Sequence, residues 1–124
     1  MPHVILGGKV DLRALAQNFQ PQVRNERGWI TKLTDYFVAA GENSALFEAL
    51  AVAQGVTHNF FVRVEQKGDE VSVRIDPRTN VEKNDGVKRA VAIAAALLRQ
   101  HMPSLSVKRT NLPQEILEAE NLAQ

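Results

Sequence analysis

An α+β domain with a small, mainly antiparallel sheet is what this sequence predicts, its elements following the order α-β-β-β-α-β-α. Three observations carry that expectation. Phe60, Val62 and Val64 alternate with polar residues and are answered by Val71, Val73 and Ile75, the pattern of a half-buried hairpin. Asp85–Met102 is a long alanine-rich stretch with helical periodicity. Trp29–Ala40 gathers Trp29, Ile30, Leu33, Tyr36, Phe37 and Ala40 on one helical arc, with Gly41 as its stop.

The remaining elements follow in order. Val4–Leu6 reads as a short strand broken by Gly7-Gly8. Asp11 is placed to cap a helix, Leu12–Phe19, which Pro21 prevents from continuing. Gln20–Gly28 is polar and reads as a loop. Ser44–Gln54 suits both a helix, from its Ala, Leu and Glu content, and a strand, from its alternation. The turn tips it towards strand: a two-residue loop at Gln54-Gly55 sets Ala49 opposite Phe60 and Phe47 opposite Val62 on one face.

The next hairpin turns at Lys67-Gly68 or over Gln66–Asp69, a register that puts Phe61 opposite Arg74. Pro77 ends its second strand, and Pro103 closes the long helix. Leu105–Arg109 reads as a strand. Asn111 with Gln114 resembles a capping box before a last helix, Leu112–Leu122.

The 124 residues, 44% hydrophobic and 23% charged, suit one domain with an arm (1–28), a core (29–109) and a C-terminal helix (110–124). A net charge of +1 leaves no global field to draw the protein onto nucleic acid or an anionic membrane, so any basic site is local. The absence of cysteine removes disulfides, thiolate metal sites and cysteine nucleophiles, and fits a reducing cytoplasm. Val4–Leu6 is too short for a secretory signal, and Ala90–Leu98 is about half of a membrane span, so no membrane association is expected.

Catalytic patterns are sparse. His3, His58 and His101 lie in separate elements and lack the spacing of a helix-borne metal pair; hydrogen-bonded positions at the core margin account for them. Gly7-Gly8-Lys9 lacks the spacing of a phosphate-binding loop and reads as a turn, and no Gly-x-Ser-x-Gly elbow exists. Glu65-Gln66-Lys67, with Glu48 upstream, resembles the PD-(D/E)XK nucleases, whose two carboxylates hold a metal while a lysine polarises water. No Pro-Asp precedes the triplet here, and a Glu48–Arg63 salt bridge explains Glu48 more simply. No cofactor or metal is expected, and an enzyme ranks third among the readings.

The order α-β-β-β-α from Trp29 to His101, with Gly55-x-x-His58 before Phe60 and Phe61, resembles a double-stranded-RNA-binding domain. The resemblance implies minor-groove contact by this region and a phosphate grip at the start of the last helix, near Lys83, Lys88 and Arg89. The Gly-x-Gly-Ser-Lys-Lys approach to that helix is absent. RNA or DNA binding through Arg63, Arg74, Lys83, Lys88 and Arg89 is therefore the second reading.

The first reading is a non-catalytic binding or assembly module, a homodimer or a receptor for another protein. Its expected interface is Leu46, Leu50 and Phe61 on the sheet, with Val52 beside them, and Ala92 and Ala96 exposed between Lys88, Arg89, Arg99 and Gln100 on the helix.

Overall fold

The computed structural model describes residues 1–123 and has seven strands and three helices in the order β1 (His3–Gly7), α1 (Leu12–Ala16), β2 (Gln22–Glu26), β3 (Trp29–Val38), β4 (Ser44–Ala53), β5 (Val56–Lys67), β6 (Glu70–Ile75), α2 (Asp85–His101), β7 (Ser106–Thr110) and α3 (Gln114–Ala119). The strands form one antiparallel sheet, ordered β2-β3-β4-β5-β6-β1-β7, which curls into a half-barrel with α2 packed on it. The α+β class is as the sequence predicts, but the element order is not.

The largest correction is at Trp29–Ala40, which is strand β3 and not a helix. Its pairing with β4 slips between Leu33 and Asp35, a bulge that inserts one residue. Before the bulge Thr31 and Leu33 face inward, and after it Tyr36 does. The inward spacing of Trp29, Leu33 and Tyr36 thus imitates a helical repeat although the backbone is extended. With a strand here, the α-β-β-β-α order is lost, and with it the ground of the likeness to double-stranded-RNA-binding domains.

Gln22–Glu26 is a strand and not a loop. Arg27 and Gly28, with φ of 53° and 81°, form a two-residue turn that pairs Glu26 with Trp29. Gln54 and Gly55 repeat this device, with φ of 52° and 77°. They set Ala49 opposite Phe60 and Phe47 opposite Val62, the expected register.

The β5–β6 hairpin keeps the expected facing of its valines but is displaced by two residues, with Arg63 and not Phe61 opposite Arg74. The turn is Gly68-Asp69, with Gly68 at positive φ. Gln66 steadies the tip. Its amide donates to the carbonyls of Gly8, Gly68 and Glu70 and accepts from Val10 N–H at 3.0 Å. Gly7-Gly8-Lys9 is a turn, Gly8 N–H donating to Asp69 O at 2.7 Å.

Helix α2 starts at Asp85, where its periodicity predicts, and Asn84 caps it: Asn84 Oδ1 accepts from Val87 N–H at 2.9 Å. Gly86 lets it seat closely, since a Cβ there would lie 2.6 Å from the Trp29 ring and 2.9 Å from Ala51 Cβ. The Thr31 hydroxyl donates to Gly86 O at 3.2 Å, so this polar inward residue of β3 is satisfied. Tyr36 likewise donates its hydroxyl to Leu12 O at 2.6 Å, and burial pushes its ionisation far above the ordinary tyrosine range.

The end helices are shorter than expected. Asp11 caps α1 as foreseen, but α1 stops at Ala16. Helix α3 begins after Pro113 with no side-chain cap. Asn111 forms no capping box because it turns to β1, accepting from His3 N–H at 2.9 Å and donating to Met1 O at 2.8 Å.

An ion cluster holds α3 in place. Arg24 makes two 3.1 Å bonds to Glu120, while Arg89 lies 3.0 Å from Glu26 and 3.8 Å from Glu120. Arg89 and Glu120 are both buried.

Candidate interaction face

Each central strand divides its side chains between the helix side and the outer side of the sheet. On β4 the helix side takes Ala45, Phe47, Ala49 and Ala51, all buried, and the outer side takes Leu46, Glu48, Leu50 and Val52. No secondary-structure element among the described residues covers that outer side. Only the β6–α2 connection reaches it, and Asp76 pins that connection. Asp76 N–H donates to Phe61 O at 2.8 Å, and its carboxylate accepts from Arg78 N–H at 3.2 Å and Arg78 Nη2 at 2.9 Å. These bonds from Arg78 hold the Asp76 carboxyl below its ordinary range.

Between the connection and the sheet lies a cleft of about 480 Å³, lined by Thr34, Glu48, Leu50, Phe61 and Arg78. The register builds the rest of the face. Phe37, Leu46, Arg63 and Arg74 stand in one row across β3 to β6, and Asp35, Glu48 and Phe61 in the next. Phe37 is 49% exposed and Ile30, near the start of β3, is 36% exposed.

Three of the five expected interface residues, Leu46, Leu50 and Phe61, therefore share this face, half-buried. The other two are on the opposite side of the sheet. Ala92 is wholly buried rather than exposed, and Ala96 is half-buried beside a second cleft, near Arg24 and Arg99. Helix α3 packs against α2, and β2 reaches it through the ion pairs of Arg24 and Glu26.

The basic residues do not gather. Arg63 and Arg74 lie on the outer face and share Glu65 at 3.6 and 3.7 Å, beyond hydrogen-bond length. Lys83 sits in the connection, its Nζ on Val81 O at 2.7 Å, and Lys88 is half-buried on α2. Arg89, expected at the surface, is buried in the ion cluster. The expected Glu48–Arg63 salt bridge is also absent among the described residues: Glu48 accepts from the Thr34 hydroxyl at 3.0 Å, and Arg63 turns to Glu65.

Sequence reasoning missed Phe37 and Ile30, assigning both to a buried helical arc. The available signal was the β-branched and aromatic content of Trp29–Val38, because Trp29-Ile30 and Thr31-Lys32 break period-2 alternation even before the bulge.

The histidines stay apart. His3 Nδ1 lies 3.0 Å from Met1 O, the His58 ring is 6.2 Å from that of Trp29, and His101 lines a cleft of about 410 Å³ between α1 and α2. Among the described residues no group of three or more His, Cys, Asp or Glu side chains stands ready for a metal ion, and no helix is long and apolar enough to cross a membrane. No protein-family model, curated protein or solved structure matches this chain.

Proposed function

We propose that this chain is a non-catalytic binding and assembly module that docks through the outer face of β3–β5. The observation that carries this reading is the placement of Phe37, Leu46, Leu50 and Phe61 on one sheet face that no other element among the described residues covers. Apolar side chains clustered on an open face gain from being removed from water by a partner, at about 25 cal/mol per Å². The cleft beside Phe61 gives that surface relief, and Glu48, Arg63 and Arg74 set charge among and beside its apolar side chains.

Nucleic-acid binding has less to work with, because a phosphate grip needs several free cations along one path. Arg63 and Arg74 share a carboxylate, and Arg89 is committed to Glu26 and Glu120.

Light scattering after size exclusion tests the proposal. A mass above that of one chain is expected, lost in Phe37→Asp and Phe61→Asp and kept in Val56→Ser, a substitution at an exposed apolar residue on a hairpin turn. Unchanged mass in both aspartate variants would refute it. A shift of double-stranded RNA at about 50 mM salt, lost in Lys88→Ala and in Arg63→Ala, would favour the nucleic-acid reading instead.

A further inference from the structure

We infer that the partner of the outer face is a second copy of this chain, docked about a two-fold axis along the diagonal from Leu46 to Phe61. The inference rests on the reading of that face as a docking surface, and the β4–β5 register supplies its detail. Leu46 stands opposite Arg63, and Glu48 opposite Phe61, on neighbouring strands. The four side chains make a checkerboard, with one diagonal apolar and the other joining an acid to a base.

A two-fold interface brings each residue against its image under the symmetry operation. An axis along the apolar diagonal sets Leu46 against Leu46 and Phe61 against Phe61 of the second copy. The same operation exchanges the other corners, so each Glu48 meets the second copy's Arg63, twice over. Adjacent strands lie about 4.8 Å apart and alternate residues about 6.8 Å apart, so the exchanged corners superpose to within the reach of an arginine side chain. The two sheets would then cross at roughly 70°, near the orthogonal class of sheet packing.

The alternative axes lose this match. An axis along the strands sets Leu46 against Arg63 and Glu48 against Phe61, and an axis across them sets Leu46 against Glu48 and Phe61 against Arg63. Both leave charges facing apolar groups, which is costly on desolvation.

The state of the isolated chain fits the exchange. Glu48 has no ion-pair partner among the described residues and is exposed. Arg63 lies 3.6 Å from Glu65, beyond hydrogen-bond length, and also acts on the Asp76 carboxylate through space. Glu48 is open to a countercharge from outside, and Arg63 can exchange its loose contact with Glu65 for a closer one. A nucleic acid would meet Glu48, Asp35 and Glu65 on the same face, which repel a polyanion.

Charge reversal tests the register. Glu48→Arg alone and Arg63→Glu alone each set like charges together twice, so each should weaken dimerisation by about 100-fold or more. A 1:1 mixture of the two variants pairs Arg at position 48 with Glu at position 63 at one contact and keeps the native pairing of Arg63 with Glu48 at the other. The mixture should recover dimer mass with a Kd within about tenfold of wild type, as should the double variant alone, with thermal melts confirming that each variant is folded. Dimers persisting in either single variant, or a mixture that stays monomeric, would overturn the two-fold arrangement. If Phe61→Asp still abolishes assembly in that case, the docking face stands and only its register falls. A wild-type chain that is monomeric at about 1 mM overturns the second copy as partner.

Discussion

The two faces of the central strands share a backbone and differ in almost everything else. On the helix side, β4 presents Ala45, Phe47, Ala49 and Ala51, and α2 answers with Val87, Ala90, Val91 and Ala94, all buried. Small side chains on both surfaces let helix and sheet approach closely, and Phe47 and Phe60 fill the remaining space. On the outer side the residues are as apolar in places, yet among the described residues nothing closes over them apart from the connection held by Asp76. One face is finished by the fold and the other is not. Hydrophobicity alone therefore does not mark the core: the placement of the next element does.

Cutting equivalent side chains from the two faces gives the largest contrast. Phe47→Ala should cost about 3–5 kcal/mol, because its ring is fully buried and the cavity cannot collapse against α2. Leu46→Ala, the next residue and on the other face, should cost less than about 1.5 kcal/mol in a monomeric sample, its side chain being only half-buried. Urea denaturation of the two variants measures both. Equal losses would erase the distinction between the faces.

Charge gives the second contrast. Glu120 lies among Arg24 and Arg89 with its side chain 4% exposed, so Glu120→Gln should cost about 3 kcal/mol by leaving Arg89 buried without its share of countercharge. Glu65, which bridges Arg63 and Arg74 on the outer face at distances beyond hydrogen-bond length, should cost less than about 1 kcal/mol as Glu65→Gln. Chemical denaturation in low and high salt separates them, since salt screens the exposed cluster more.

The smallest effect concerns the one acid that anchors the outer connection. Arg78 lowers the folded-state pKa of Asp76, so its contribution to stability is present above the ordinary carboxyl value of 3.8 and is lost as pH falls through the lower folded-state value. The stability difference between wild type and Asp76→Asn should hold steady between about pH 5 and 7 and narrow below 3.8. A difference that grows on acidification would refute the assignment.

The helix side of this contrast was readable in the sequence. The alanine-rich helical periodicity of Asp85–Met102 and Pro103 announce α2, and alternation with a two-residue turn announces β4 and β5 in register. Two features hid the rest. The bulge after Leu33 gave a strand the spacing of a helix, which sent Phe37 and Ile30 to the wrong side. Gln22–Glu26 has a single apolar residue, so nothing in its pattern announced a strand whose arginine would reach Glu120. Without β2 and α3 in place, Arg89 looked open. The site was half legible for the same reason: Leu46, Leu50 and Phe61 follow from alternation, whereas the openness of their face depends on where the distant elements go.

The place of β1 carries a consequence for how the chain acquires its structure. The first strand lies between β6 and β7, pairing His3 with Arg74 and Val4 with Thr110. As the chain is synthesised from its N-terminus, the hairpins β2 to β5 can close from neighbouring residues, but β1 must wait for a large part of the sequence to be made. Contacts of such sequence separation slow folding, because a long loop loses its freedom before the contact repays it. A strand made well before its partners is thus among the last to be fixed, and until then the edge of β6 stands open beside it.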